Sequence, residues 1–100
     1  MGNTFGSWST GYTNGTSYQA TYDCFVVVKG SLSTGGVSIT GFTDSSNPPT
    51  TVVQQQKLDP SLPCVLSIMF PVRKGDYFKV QIEGGSGSLP YYGVLPLGGI

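Results

Sequence analysis

The chain has 100 residues, room for one domain, with five basic and five acidic side chains, no histidine and a formal net charge of zero at pH 7. That balance sets up no field to steer nucleic acid or an anionic membrane, and without histidine the two distant cysteines cannot complete a zinc site. Charged residues make up 10% of the chain against a usual ~25%, so a free monomer would be poorly protected against association, whereas homo-oligomer contacts are poor in charge.

No stretch carries a 3.6-residue apolar period of helical length, and none approaches the ~18 apolar residues of a membrane span. Met1-Gly2-Asn3-Thr4 lacks the basic and apolar regions of a signal peptide. Residues 1–7 read as a short lead-in and 8–98 as the domain. The first extended piece falls at 5–12 and holds Trp8, the only tryptophan; Asn14-Gly15, a pair that accepts positive φ, turns the chain. Residues 18–29 are rich in Tyr, Thr and Val, which suit a strand, with a break expected near Thr21-Tyr22. Its second half is apolar on both faces: Cys24, Val26 and Val28 on one, Phe25 and Val27 on the other. A sheet with one face in water alternates instead, so this strand is covered twice.

A loop is expected at 30–36. Residues 37–42 alternate, with Val37 and Ile39 opposed to Ser38 and Thr40. Asp44-Ser45-Ser46-Asn47-Pro48-Pro49 reads as a loop, and 50–56 as a mixed-polarity strand near an edge. After a second loop at 57–63, residues 64–70 are again apolar on both faces: Cys64, Leu66, Ile68 and Phe70 against Val65 and Met69. A tight reversal spans 71–76. Residues 77–82 alternate with Phe78, Val80 and Ile82 inward, and an apolar strand at 89–97 follows a Gly/Ser loop at 83–88. Seven or eight short antiparallel strands with turn residues between them specify an all-β single sandwich of jelly-roll type. Cys24 and Cys64 read as small buried hydrophobes, with a disulfide as the alternative.

Catalytic chemistry is poorly provided for. The carboxylates are scattered, no cysteine has a histidine partner, and no cofactor motif is present, which argues against an enzyme. Gly84-Gly85-Ser86-Gly87 lacks the lysine and helix of a phosphate loop, and Asp44-Ser45-Ser46-Asn47 lacks the acidic density of a calcium loop. Six tyrosines and a tryptophan in a Gly/Ser/Asn setting suit an adaptable binding surface. Tyr12 either stacks on a sugar ring or packs in the sheet. Tyr91 and Tyr92 point to opposite faces, so one is core while the other meets a partner.

The run Trp8…Tyr12-Thr13-Asn14…Tyr22-Asp23-Cys24-Phe25-Val26-Val27-Val28 resembles the opening of C-terminal head domains on bacteriophage tail fibres. Residues Ser67 to Val80, with Phe70-Pro71 and Lys74-Gly75-Asp76-Tyr77, are similar to their late hairpin, and Tyr91-Tyr92-Gly93-Val94-Leu95-Pro96-Leu97-Gly98 to their closing strand. Cys24 departs from the pattern, where a small glycine is common. The resemblance implies a homotrimeric jelly roll similar to C1q and tumour-necrosis-factor heads. It implies a receptor-binding tip of a virion's tail fibre, assembled in the host cytoplasm, that recognises a bacterial surface glycan or protein. Candidate receptor contacts are the loop residues Tyr12, Asn14, Asp44 and Asn47; Phe25, Val27, Tyr91, Tyr92 and Leu95 belong to the trimer interface or the core. No nucleic acid, metal or membrane insertion is expected. The competing readings are a carbohydrate-binding module of a larger enzyme and a structural trimerisation cap.

Overall fold

The computed structural model describes residues 6–32, 38–57, 64–83 and 87–97. Its eight strands are β1 (Ser9–Thr10), β2 (Tyr18–Gln19), β3 (Cys24–Leu32), β4 (Ser38–Asp44), β5 (Val52–Lys57), β6 (Cys64–Val72), β7 (Tyr77–Glu83) and β8 (Gly87–Pro96). Sheet one runs β1-β8-β3-β6 and sheet two β2-β7-β4-β5, and every neighbouring pair is antiparallel. No helix occurs among the described residues. The result is the expected all-β, jelly-roll-like sandwich.

The break expected near Thr21-Tyr22 divides residues 18–29 into two strands that belong to different sheets. β2 pairs with β7, the chain bends through Thr21-Tyr22-Asp23, and β3 enters sheet one between β8 and β6. β3 then continues through Gly30, Ser31 and Leu32, which the sequence assigns to a loop, because β6 and β8 supply ladder partners as far as Cys64 and Gly87. Pro71 and Val72 likewise close β6 instead of opening a turn; β6 is an edge strand, where a proline costs no ladder bond. The expected strand at 5–12 shrinks to β1; Phe5 lies outside the described residues, as do Val37, Gly98 and residues 33–36, 58–63 and 84–86 of the three expected loops.

Alternation along β3 answers which of its faces is which. Cys24, Val26 and Val28 point into the sandwich, where Val26 and Val28 are wholly buried against the inward Phe70, Ile68, Tyr92 and Val94 of the flanking strands. Sheet two contributes Ile39, Phe78 and Val80. The cysteine question is settled by register. Cys24 stands opposite Val72 and Cys64 opposite Leu32, eight residues apart along β3 or about 26 Å. A disulfide needs Cα atoms within about 7 Å, so Cys24 is a free buried thiol.

Ser38 and Thr40 depart from expectation. Both are buried, Thr40 completely, although they point away from the core. β4 is central in its sheet, so longer side chains from both neighbours close over it. The Thr40 hydroxyl donates to Glu83 Oε1 at 2.8 Å and accepts from Gln55 Nε2 at 3.0 Å. Lys79 Nζ sits 4.6 Å over the Phe42 ring on the same side. The outer face of sheet two is therefore closed mainly by its own polar side chains, with Val52, opposite Phe42, left half-exposed on the β5 edge.

Asp44 ends β4 and clasps the loop after it. Its carboxylate accepts from the backbone N–H groups of Ser46, Thr50 and Thr51 at 2.8–2.9 Å, across the cis Asn47–Pro48 bond. These bonds, Thr50's first and Ser46's next, hold its carboxyl well below the ordinary value of 3.8. A depressed folded-state pKa contributes stability that is complete above the unfolded value and is lost as pH falls through the folded one. Asp44→Asn should therefore lower thermal stability at pH 7, and the gap from the parent chain should narrow only below about pH 3.8. Melting curves from pH 7 to 2 check this; a gap that is constant across the range would refute the clasp.

Candidate functional site

The outward face of sheet one is built very differently from that of sheet two. Registered across β8, β3 and β6, its rows read Leu95, Phe25, Pro71; then Gly93, Val27, Met69; then Tyr91, Lys29, Ser67. Two of these three rows carry no polar side chain. Met69 is 59% exposed, Val65 on the same face 55%, and Trp8 beside Tyr91 49%. The Trp8 and Tyr91 rings meet edge to face with centroids 6.1 Å apart. Tyr91 lies across the bare Gly93: an added Cβ would come within 2.7 Å of its hydroxyl, so a side chain there would displace the ring. Phe25, Val27 and Leu95 are half-buried on this face, whereas Tyr92 faces the core at 3% exposure, where burial pushes its phenol up from its ordinary value. The exposed and half-buried apolar side chains of this face lie next to one another in the registered rows.

The four candidate receptor contacts do not form one cluster. Asn14 Oδ1 accepts from the Ile82 backbone N–H at 2.9 Å, while Asp44 stands opposite Tyr77. Five residues of β7 separate those points, about 17 Å, so the two mark opposite ends of the sandwich. Asn47 belongs to the Asp44 end, which also holds Gly6, bonded to Pro96, and Leu97, bonded to Asp23. Tyr12 sits over the open edge between the sheets. Its ring meets Tyr18 at 4.8 Å, Tyr92 at 5.4 Å and Phe78 at 5.8 Å, and its hydroxyl pairs with Ser9 Oγ at 2.7 Å. Of the two readings of Tyr12, the structure places it in packing.

That open edge holds a cleft which the sequence does not announce. β1 borders sheet one and β2 borders sheet two, and between them lies a cavity of about 340 Å³. Its floor is Cys24, Ala20, Phe78 and Val94, and its walls carry Ser7, Ser9, Gln19, Thr21 and Tyr22. Burial first, and the Asp23 carboxylate second, push the Cys24 thiol up to about 11, so it is an inert part of that floor. These wall residues come from two short segments, 7–9 and 19–22, which meet only because the sheets stack. A second, wider depression of about 730 Å³ contains Asp23, Asp44, Asp76 and Arg73. Its charges are already committed: Asp23 accepts from the Lys74 N–H, Asp44 clasps its loop, and Asp76 pairs with Arg73. Among the described residues no three metal-ligating side chains converge. Comparison with family models, with curated proteins and with solved structures finds no match to this chain.

Proposed function

We propose that the chain is a non-enzymatic, self-assembling receptor-binding head, homotrimeric as its resemblance to tail-fibre tips implies, that engages a bacterial surface glycan or protein. The observation that carries this reading is the outer face of sheet one. Its two apolar rows present Phe25, Val27, Met69, Pro71 and Leu95 to solvent in an isolated copy. The occupant that fits is a second copy of the chain. The face carries only Lys29 as a charge among its registered rows, and the chain as a whole is neutral, so copies meet without like-charge repulsion. Removing that area from water stabilises by about 25 cal/mol per Å², which favours association over a free monomer. Three-fold symmetry comes from the resemblance; the face itself calls for a partner of its own kind.

Sedimentation equilibrium at micromolar concentration should give three times the chain mass, and the purified head should bind host cells. A monomer at that concentration would overturn the assembly. A structural trimerisation cap is the second reading, favoured by the engagement of Asn14 and Asp44 in internal hydrogen bonds. It predicts an intact trimer that binds no cells.

A further inference from the structure

We infer that the cleft between β1 and β2 binds a neutral saccharide of one or two rings. This deepens the binding-head reading and rests on it for the biological role of the ligand. Three features of the cleft define the ligand class. Its volume of about 340 Å³ lies at the small end of ligand sites, which run from about 300 to 1,000 Å³. None of its lining residues is charged, and the Asp23 carboxylate that acts on Cys24 in the floor disfavours an anion. Its lining brings the Tyr12, Tyr18 and Tyr22 rings together with hydroxyl and amide groups, the pairing needed to stack on the C–H face of a pyranose and bond its hydroxyls.

Individual groups have the necessary freedom. Tyr22 is 60% exposed at the mouth, so its ring is a platform rather than core. The side-chain hydroxyls of Ser7, Thr21 and Tyr22 hold no hydrogen bond among the described residues. Gln19 gives its amide N–H to the Gly75 carbonyl at 3.2 Å and keeps its oxygen as an acceptor. The Ser9–Tyr12 hydroxyl pair can reverse its direction of donation, since either oxygen can give the proton. The cleft lies on the seam of the sandwich and not on the outer face of sheet one, so a sugar and a partner copy use different surfaces.

The test is an amide-resolved NMR titration of the whole chain with glucose, galactose and N-acetylglucosamine. At least one should give saturable shifts centred on Gln19, Thr21 and Tyr22. Tyr22→Ala should weaken that binding about tenfold, as the loss of one stacking ring implies, while Tyr22→Phe retains most of it. Thr21→Val should weaken it several-fold. Both positions are exposed, so the variants should keep the parent's melting temperature and assembled mass. No shift at these amides up to sugar concentrations on the order of 50 mM would overturn the inference. So would saturation that Tyr22→Ala leaves unchanged, or tighter binding of an acidic sugar than of its neutral counterpart. If Tyr22→Ala adsorbs to cells like the parent and no sugar fills the cleft, the cleft fails and the binding-head reading stands. If sugar fills the cleft of a chain that stays monomeric, the cleft stands and the assembly reading fails.

Discussion

Val26→Asp is expected to unfold the protein, and Val27→Asp, one residue further on, to leave it folded but unassembled. Val26 has no exposed surface and lies between Phe70 and Val94 in the registered ladder, with no cation facing it. A carboxylate there would be charged, buried and unpaired, at a cost of about 3–5 kcal/mol or more. A small domain has on the order of 5–15 kcal/mol of stability in all, and at 100 residues this chain belongs near the lower end. Val27 points the other way, between Met69 and Gly93 on the outer face of sheet one. An aspartate at that position stays hydrated in a single copy and is desolvated only when a partner covers the face. Circular dichroism should therefore show strand structure for Val27→Asp and its loss for Val26→Asp. Sedimentation should give a monomer mass for Val27→Asp. An assembled Val27→Asp, melting like the parent, would rule out this face as the contact; a folded Val26→Asp would rule out the assignment of faces along β3.

The second large effect is expected at Gly41. This residue lies on the inward side of β4, and the Phe70 ring of the opposite sheet rests directly on it. A Cβ at Gly41 would run into Phe70 Cε1, with Cδ1 at 2.8 Å and Cζ at 3.1 Å. Phe70 is 2% exposed and cannot swing aside. Gly41→Val should cost about 3 kcal/mol through overpacking, which for a domain of this size lowers the melting temperature by roughly 12–24 °C. Shrinking the ring should give part of it back: Phe70→Leu in the Gly41→Val background should be less damaging than in the parent, with a coupling of about 1–2 kcal/mol. Strict additivity of the two changes would show that the ring and the glycine do not share the space.

Much of the fold was legible along the chain. Gly and Pro spacing marked most of the turns, period-two patterns marked the strands, and the two-faced runs around Val26 and Ile68 already called for double cover. Errors fell where a neighbour strand decided the outcome. Ser38 and Thr40 look like solvent-facing residues until Gln55 and Glu83 reach over them from β5 and β7. Gly30 to Leu32 look like a loop until β6 and β8 extend far enough to pair with them. Asp44 looks available for a ligand until three backbone N–H groups converge on it.

The sequence by itself determined the class of the fold, the strand break near Thr21 and the fact that strand residues 24–28 are apolar on both sides. These are local properties, set by side-chain alternation and by the conformational freedom of Gly and Pro. Only the tertiary structure decided that Val26 faces the core while Val27 faces out, that Cys24 and Cys64 stand far apart, and that Ser7, Gln19 and Tyr22 wall one cleft. Each of these depends on which strands become neighbours and in what register, and the period of a strand is the same whichever of its faces is covered.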